Sequence, residues 1–331
     1  MKHVLVTGGA GYIGSHACKA LAAAGYVPVT FDNLVYGHRW AVRWGPFVHG
    51  DVLDRAALDA AMRAWQPVAV MHFAAYIDVG ESVRDPGRYY ANNVGGALCV
   101  LRSMAAHDIS AFVFSSTAAV YGTPRTKCLA ESHTLYPINP YGASKLMVER
   151  MLQDFDAAHG LRSVSLRYFN AAGADPDGET GESHDPETHL IPLVLDAAAG
   201  SRPHITVYGD DHPTADGTCI RDYIHVSDLA QAHVLSLQAL EAGAATTAYN
   251  LGNGRGFSVR EVIDAARRVT GRDIPVVIGP RRAGDPPELV GDATRARSEL
   301  GWVPQHADLD EIVRTAWAWH GRAAGREGHP A

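Results

Sequence analysis

The sequence has 331 residues, 47% of them hydrophobic and 20% charged, which is long enough to bury the core of one large or two modest domains. A net charge of −7 argues against a general nucleic-acid or membrane-surface binder. No apolar stretch approaches a transmembrane span. The four cysteines form no CxxC pair, which favours a reducing, cytoplasmic setting.

Short apolar runs alternate with helical patterns over the first two thirds of the chain. Strands are predicted at His3–Thr7, Val27–Phe31, Phe47–Gly50, Val68–His72, Ala111–Ser115 and Ser163–Tyr168. Helices are predicted at Gly14–Ala24, Arg55–Ala64, Asn92–Ala106 and Tyr141–His159. Because parallel strands buried on both faces are continuously apolar, this alternation predicts an α/β fold with a Rossmann-type doubly wound parallel sheet.

The pattern loosens after Asn170, where residues 171–186 are rich in Gly, Asp, Glu and Pro. Further strands are predicted at 205–208 and 249–251, and further helices at 189–200, 227–240 and 258–270. We predict a cofactor-binding Rossmann domain of residues 1–169 plus 222–250. Residues 170–221 plus 251–331 are predicted to form a smaller α/β substrate-binding domain.

A glycine-rich segment joins the first predicted strand to the first predicted helix. Gly8, Gly11 and Gly14 follow the spacing at which one glycine allows a tight turn, the next a close approach of a pyrophosphate, and the last the packing of helix on sheet. The N-terminus of the helix then offers N–H groups and partial positive charge to phosphates. The motif predicts a dinucleotide site, although such a run alone also fits an ordinary turn.

Asp32 ends the second predicted strand and strengthens this interpretation. A carboxylate there accepts hydrogen bonds from ribose hydroxyls and repels a 2′-phosphate, which favours NAD over NADP. Asp51 and Val52 follow the third strand, where an adenine edge is expected. Phe73, Ala74 and Ala75 follow the fourth, where small residues let the backbone pass close to the cofactor.

Tyr141 and Lys145 lie four residues apart and share one face of a predicted helix. A nearby ammonium and an oxidised nicotinamide would favour the phenolate of a tyrosine whose ordinary pKa is about 10. The pair alone equally fits a packed tyrosine and a solvated lysine. Thr117 or Ser116, at the carboxyl end of the fifth strand, could complete a hydroxyl–Tyr–Lys constellation that orients a reacting sugar oxygen.

Several longer motifs carry a family resemblance over roughly residues 2–320. They are Gly-Gly-Ala-Gly-Tyr-Ile-Gly at 8–14, Val-Gly-Glu-Ser at 79–82, Tyr-Gly-Ala-Ser-Lys at 141–145, Arg-Tyr-Phe-Asn at 167–170 and the segment 216–226. With them the sequence resembles the extended short-chain dehydrogenase/reductase family, and within it the UDP-sugar 4-epimerases. The resemblance implies reversible C4 epimerisation of UDP-galactose to UDP-glucose through a transient 4-keto sugar, with hydride cycling on bound NAD.

The same resemblance implies roles for particular residues. Tyr141 is expected to be the base, Lys145 to hold the nicotinamide ribose and lower the pKa of Tyr141, and Thr117 to replace the usual serine. The expected cofactor-binding residues are Gly8, Gly11, Tyr12, Ile13, Gly14, Asp32, Asn33, Asp51, Val52, Phe73, Ala74, Ala75, Asn92, Ser115, Tyr141, Lys145 and Tyr168. The expected substrate-binding residues are Thr117, Tyr141, Asn170, His189, Leu190, Tyr208, Arg221, Arg282, Asp285 and Leu289.

The chemistry of these substrate residues agrees with a UDP site. Guanidinium groups at Arg221 and Arg282 can hold a diphosphate against the overall negative charge, Tyr208 can stack on uracil, and Asp285 can accept from a ribose hydroxyl. Arg282 also fits a solvated loop. Three positions depart from common patterns: Ile77 replaces a lysine, His189 an asparagine, and Leu289 is intermediate where side-chain bulk is thought to gate an N-acetyl group.

Other functions make different demands on the sequence. A sugar-nucleotide 4,6-dehydratase needs an Asp-Glu pair where this chain has Ala118 and Ala119. A UDP-pentose or UDP-N-acetylhexosamine 4-epimerase stays open. An NAD-sensing protein without chemistry would be expected to lose Tyr141 or Lys145. The 17 histidines show no ligand-like spacing, with His184 and His189 five apart in a loop, so no metal is expected.

The resemblance also suggests a homodimer. The predicted helices at 92–106 and 141–159 would pair across it, and they carry Leu98, Leu101, Met147 and Met151. These four side chains equally fit a role in the core.

Overall fold

The computed structural model describes residues 1–282 and 285–323. Residues 324–331, at the end of the predicted second domain, lie outside this range. The strands are β1 His3–Thr7, β2 Val27–Asp32, β3 Phe47–His49, β4 Ala69–His72, β5 Ala111–Ser115, β6 Cys128–Leu129, β7 Arg162–Tyr168, β8 Asn170–Ala172, β9 Ile205–Tyr208, β10 Ile220–His225, β11 Thr247–Leu251, β12 Gly256–Ser258, β13 Val276–Gly279 and β14 Glu288–Gly291.

The α-helices alternate with these strands in the first half of the chain. They are α1 Tyr12–Ala23, α2 Arg55–Trp65, α3 Val79–Arg84, α4 Pro86–Tyr89, α5 Gly96–Ala106, α6 Pro140–His159, α7 Leu190–Ala199, α8 Val226–Glu241, α9 Val259–Thr270, α10 Thr294–Leu300 and α11 Leu309–Ala323. A π-helical segment, Tyr90–Gly95, leads into α5, and 3₁₀ turns occur at Arg39–Ala41 and Ala118–Tyr121. No helix in the described part of the chain is long and apolar enough to cross a membrane.

The largest sheet has seven strands in the order β11-β7-β5-β4-β1-β2-β3, and its paired neighbours are all parallel. Its buried strands have apolar side chains on both faces. One face packs against α1 and α8 through residues such as Leu21, Leu229 and Leu237, and the other against α2, α5 and α6 through Leu58, Val100 and others. The predicted doubly wound parallel sheet is therefore confirmed.

A second sheet has the order β12-β10-β14-β6, and β8 also pairs with β10. The helices α7, α9 and α11 pack beside it around a separate core that includes Val194, Val262 and Ile312. Residues 226–251 return to the seven-stranded sheet, because α8 packs on α1 and β11 pairs with β7. Residues 222–225 instead belong to β10, in the second sheet. The exact division into two domains stays a prediction.

The large sheet and the second sheet meet along one edge of the large sheet. The carboxyl ends of β1, β2, β4, β5 and β7 lie at the same edge of the large sheet, where α/β folds of this class bind ligands. The chain leaves β7 for β8 and the second sheet at this edge. The fold thus places the carboxyl ends of these strands, where a cofactor is expected, opposite the elements that carry residues 170–221.

Candidate active site

The turn between β1 and α1 is built for close approach. Gly8 has a φ of +73°, and a Cβ there would lie 2.6 Å from the backbone nitrogen of Ala74. A Cβ on Gly14 would lie 2.1 Å from the carbonyl oxygen of Gly8. Gly11 caps α1 without a side chain, so the N-terminus of the helix is open to a ligand. This cradle fits the pyrophosphate of a dinucleotide.

The ends of β2 and β3 bring the expected ribose and adenine residues together. Asp32 is buried, and its carboxylate accepts from the N–H of Ala10 at 3.0 Å and of Leu34 at 2.8 Å. Burial raises the pKa of Asp32, and the two backbone hydrogen bonds oppose that shift. Asn33 donates to Asp51 across 2.9 Å. A carboxylate held in this way retains free lone pairs for ribose hydroxyls.

The fourth strand supplies the floor of the same cradle. The backbone N–H groups of Phe73 and Ala74 donate to the carbonyl oxygen of Thr7, which keeps this segment beside Gly8. Val52 is buried in the core of the sheet, so its side chain is not open to an adenine ring. Contact of Val52 or Ala75 with the cofactor through the backbone stays a prediction.

A hydroxyl, a phenol and an ammonium meet at the end of β5. Thr117 follows β5, where its hydroxyl accepts from the N–H of Ala119 at 3.1 Å, and it lies close enough to Tyr141, in the first turn of α6, to influence the pKa of that phenol. One turn later, the Nζ of Lys145 lies 6.0 Å from the ring centre of Tyr141 and donates to the carbonyl oxygen of Ser115 at 2.8 Å. The i, i+4 spacing therefore places both side chains toward the strand, as their shared helix face requires.

The electrostatics of this group are set by burial. Burial raises the pKa of Tyr141, and the hydrogen bond from Thr117 opposes that shift. Burial also lowers the pKa of Lys145 to about 7. The protein's own groups therefore do not favour the phenolate, and the expected lowering of the pKa of Tyr141 by Lys145 and a nicotinamide stays a prediction.

Ser116 has a different role from its neighbour Thr117. Its hydroxyl donates to Glu149 at 2.6 Å, and Glu149 accepts from the Nε of Arg167 at 2.9 Å. Both charged side chains are only 7% exposed. Arg167 also donates to the hydroxyl of Tyr121 at 3.1 Å. This network leaves Thr117 as the hydroxyl that faces Tyr141.

Sequence reasoning missed Glu149, although its spacing gave a signal. Tyr141, Lys145 and Glu149 are successive i, i+4 neighbours, so a third functional side chain on that face could have been expected. It also missed Asn93 in the π-helical segment, whose amide bonds both backbone groups of Tyr76 and the hydroxyl of Ser144. These contacts tie the segment after β4 to α6.

The remaining expected cofactor residues surround the same edge. Tyr168, at the end of β7, shares a short hydrogen bond with the hydroxyl of Ser115. Burial raises the pKa of Tyr168, so it stays a neutral donor. Asn92 donates to Asn93 at 3.0 Å, and the hydroxyl of Tyr12 donates to the carbonyl oxygen of Gly173 at 2.6 Å. Ile13 packs partly buried against the sheet.

The expected UDP residues converge from three separate segments. Arg221 donates to Asp285 at 2.6 Å and to the carbonyl oxygen of Pro286 at 2.9 Å. The guanidinium of Arg282 lies 3.9 Å over the ring centre of Tyr208, which is 40% exposed. An arginine, an aromatic face and a carboxylate are thus presented together, as recognition of a nucleoside diphosphate requires.

Strand pairing links this group to Thr117. Leu289 lies beside Arg221 in the register of β14 with β10, and it packs against a cluster that contains Ala118. Asn170 donates to the carbonyl oxygen of Asp222 at 3.1 Å. His189 and Leu190 form the N-cap and first residue of α7. Ile77 is 45% exposed and offers no charge.

Asp222 is a third residue that the sequence analysis missed. It is fully buried within β10 and accepts from the N–H groups of Asn253, Gly254 and Gly291. Burial raises its pKa to about 6, against the effect of these bonds. The available signal was an acidic residue in the middle of a short strand, between Ile220 and Ile224. The carboxylate joins β10 to the segments that flank β12 and β14.

Comparisons with known proteins agree with this geometry. Residues 4–252 match the model of the NAD-dependent epimerase/dehydratase family. The chain is 54% identical over 320 residues to a UDP-glucose 4-epimerase of Rhizobium leguminosarum bv. trifolii, covering 97% of this chain and 98% of the relative. It is similar to the UDP-glucose 4-epimerase of Brucella ovis solved with NAD, with a TM-score of 0.95, 54% identity and coverage of 97% and 99%.

A third relative was solved with a sugar nucleotide. The UDP-glucose 4-epimerase of Stenotrophomonas maltophila, in complex with NAD and formylated UDP-arabinopyranose, has a TM-score of 0.95 and 42% identity. The similarity covers 99% of this chain and 100% of that one.

Proposed function

Because the chain belongs to the NAD-dependent epimerase/dehydratase family, we propose that it epimerises C4 of a UDP-hexose, interconverting UDP-galactose and UDP-glucose. The observation that carries the proposal is the meeting of Thr117, Tyr141 and Lys145 at the end of β5, next to the glycine cradle. The enzyme is an isomerase, and its cofactor is NAD.

The residues fit NAD without rearrangement of the cradle. Gly8 and Gly14 allow the tight turn because a Cβ on either would strike the backbone of Ala74 or Gly8, and Asp32 is oriented by two backbone hydrogen bonds. Bound NAD supplies the acceptor, and then the donor, for the hydrogen at C4 of the sugar. The protein's own task is to move the hydroxyl proton and hold the ring.

We assign the proton transfer to Tyr141. Its phenolate oxygen takes the proton of the sugar 4-hydroxyl and becomes the neutral phenol, which later returns the proton, while Thr117 orients the sugar oxygen. Lys145, anchored on the carbonyl oxygen of Ser115, places a positive charge on the same face of α6. When Lys145 is protonated, its charge favours the phenolate that must be present before the proton leaves the sugar.

The other half of the substrate is held at a distance from the chemistry. Arg221 and Arg282 neutralise the diphosphate, and Tyr208 offers a ring face to the uracil. Because these contacts do not involve C4, the sugar can present either face to the cofactor while the UDP stays bound. We expect Asn170, His189 and Leu190 to contact the substrate between the two groups.

The identity of the sugar has one open alternative. The similar enzyme of Stenotrophomonas maltophila was solved with a formylated UDP-arabinopyranose, so a pentose is a second candidate substrate. Leu289, packed beside Ala118, restricts the space near the sugar with a side chain of intermediate size. The dehydratase reaction is disfavoured because Ala118 and Ala119 offer no acid for elimination of water.

We also propose a homodimer in the cytoplasm. Leu98 of α5 is 37% exposed and Met147 of α6 is 46% exposed, so both are available to a second copy, whereas Leu101 is fully buried and Met151 packs partly against the core. All four cysteines are free, as a reducing compartment requires. Light scattering of wild type and Met147→Lys would test the dimer. If both proteins have the mass of a dimer, Met147 is not part of the interface.

The function itself is tested by incubating purified protein with UDP-galactose and following the anomeric proton signals by NMR. We expect UDP-glucose to appear without added cofactor and without net accumulation of NADH. UDP-arabinose in a parallel sample tests whether the enzyme also epimerises a UDP-pentose. No interconversion of either sugar nucleotide, with NAD bound, would contradict the proposal and leave a dehydrogenase or a non-catalytic protein.

A further inference from the structure

Four side chains with metal-ligating atoms meet in the loop before α7. Glu182, His184, Glu187 and His189 each offer one ligand atom, and these atoms lie within 4.8 Å of one another. The Nδ1 of His184 is 3.1 Å from Glu182 and 3.7 Å from Glu187. The Nδ1 of His189 is 2.8 Å and 3.1 Å from the same two carboxylates.

These separations are close to those of a tetrahedral zinc shell. Zinc bonds to imidazole nitrogen and carboxylate oxygen of about 2.0–2.2 Å place neighbouring ligand atoms roughly 3.3–3.6 Å apart at tetrahedral angles. The four contacts range from 2.8 to 3.7 Å, and His184 and His189 face different oxygens of Glu187. Metal binding would therefore move the closest ligand atoms apart by about 0.5–0.8 Å.

The chemistry of the donors selects the class of metal. Two imidazoles with two carboxylates suit zinc and similar transition metals, whereas calcium and magnesium prefer shells made of oxygen. Against the effect of burial, the two carboxylates raise the pKa of His184 to about 9 and that of His189 to about 10, so a divalent cation would bind by displacing one proton from each imidazole. In the described part of the chain, the ion-pair partners of Glu182 and Glu187 are these histidines.

A second acidic group nearby shows the contrast. Asp175, Asp177 and Glu179 also lie close together, but the ammonium of Lys19 contacts all three carboxylates at 2.7–2.8 Å. That group already contains its cation, and it carries no imidazole. The cluster before α7 differs because its partners for the carboxylates are two imidazoles, which can exchange a proton for a metal ion.

The loop is held from outside the cluster. Glu187 accepts from the N–H groups of Thr188 and His189 at 2.7 and 2.8 Å, which orients its carboxylate. The backbone of residues 182 and 183 accepts from Trp319 at 2.8 Å and contacts the ring of His38 at 2.7 Å. Outer contacts of this kind orient the ligands of a metal site.

We propose that Glu182, His184, Glu187 and His189 form a tetrahedral site for a divalent transition metal of the zinc class. Four protein ligands close the coordination shell, so the ion is structural and takes no part in the reaction. The edge of the Tyr12 ring faces His184, so the ion joins the start of α7 to the side of the glycine cradle. The proposal replaces the sequence-based expectation of no metal, which considered spacing along the chain alone.

The test uses the full chain with its NAD, stripped of metal by chelation and dialysed against Zn²⁺ alone. Bound zinc is measured by mass spectrometry for wild type, Glu182→Gln and His184→Gln. His320→Gln is the matched control, because His320 pairs with the single carboxylate of Asp196 at 2.8 Å elsewhere in the fold. NAD content and far-UV circular dichroism report whether each variant has folded.

We expect wild type and His320→Gln to retain one zinc per chain, and the two cluster variants to bind zinc at least about tenfold more weakly. Absence of zinc from wild type, or equal affinity in Glu182→Gln and His184→Gln, would overturn the site and leave a network of ion pairs. Substitution with Co²⁺ gives a measurement on wild type alone. Intense visible bands indicate the tetrahedral shell, and weak octahedral bands or none would also overturn it.

Discussion

The two halves of the site are stabilised in different ways. At the end of β5, Thr117, Tyr141 and Lys145 are positioned by a parallel sheet and one helix, and a buried ion pair lies behind them. In the UDP half, Arg221 is only 15% exposed but Arg282 and Tyr208 face solvent, and their segments come from separate parts of the chain.

This difference indicates that one half of the site carries out the reaction and the other binds the substrate. Groups locked by the sheet cannot adjust to a substrate, so they suit a fixed proton transfer at one atom. Exposed cations on short segments suit the capture of an anion by a chain whose net charge is −7. Changes in the first half should therefore alter kcat, and changes in the second should alter substrate affinity.

The largest effect is expected for Tyr141→Phe. The loss of the phenolic proton acceptor should lower kcat by about 10³-fold, with bound NAD and Tm unchanged. Tyr136→Phe is the matched control, because Tyr136 is 74% exposed and outside the site. Steady-state kinetics measure kcat, and near-normal turnover of Tyr141→Phe would show that Tyr141 is not the base.

Glu149→Gln tests the support behind the catalytic half. Removal of one partner leaves Arg167 buried without its countercharge, which typically costs about 3 kcal/mol or more of stability. We expect a lower midpoint in urea unfolding. Glu241→Gln, on the exposed pair with Lys2, is the control and should change stability little. Equal midpoints for the two variants would contradict the role assigned to the buried pair.

Arg221→Ala tests the UDP half. Loss of a charged donor should weaken the binding of UDP by about 30-fold, in line with roughly 2 kcal/mol for a hydrogen bond to a charged group. Calorimetric titration measures the Kd, and kcat should change far less than KM. Arg268→Ala removes an exposed arginine that pairs with Asp310 and should bind UDP normally. A fall in kcat without a change in the Kd for UDP, in Arg221→Ala, would contradict the assignment of Arg221 to substrate binding.

The smallest effect is expected for Thr117. Thr117→Val keeps the shape but removes the hydroxyl that we propose orients the sugar oxygen beside Tyr141, so kcat should fall by about tenfold, equivalent to roughly 1.4 kcal/mol. Thr117→Ser keeps the hydroxyl and should retain most of the activity. If both variants have the same kcat, the hydroxyl of Thr117 is not used in the reaction.

The catalytic half could be predicted from the sequence because its signals are local. Strand β1 was predicted with its observed bounds, and the glycines of the cradle and the Tyr141–Lys145 spacing each lie within a few residues of one another. Glu149 and Arg167 were not predicted, because their pairing joins a helix to a strand 18 residues away.

The second sheet could not be predicted because its pairings are long-range. Strand β6 has two residues and pairs with β14, more than 150 residues further along the chain, so neither has a periodic pattern of its own. The cluster of Glu182, His184, Glu187 and His189 was missed for a related reason. Its ligand atoms converge only when the loop folds, and its spacing matches no common metal motif.

The central claim is that the hydrogen removed from C4 returns to C4 of the same sugar. The most direct measurement incubates the enzyme with UDP-galactose deuterated at C4, in ordinary water, and determines deuterium in the UDP-glucose by NMR and mass spectrometry. The account predicts full retention of deuterium at C4, because only the hydroxyl proton passes through Tyr141 to solvent. Loss of deuterium to water during interconversion would contradict it and indicate inversion by deprotonation of carbon.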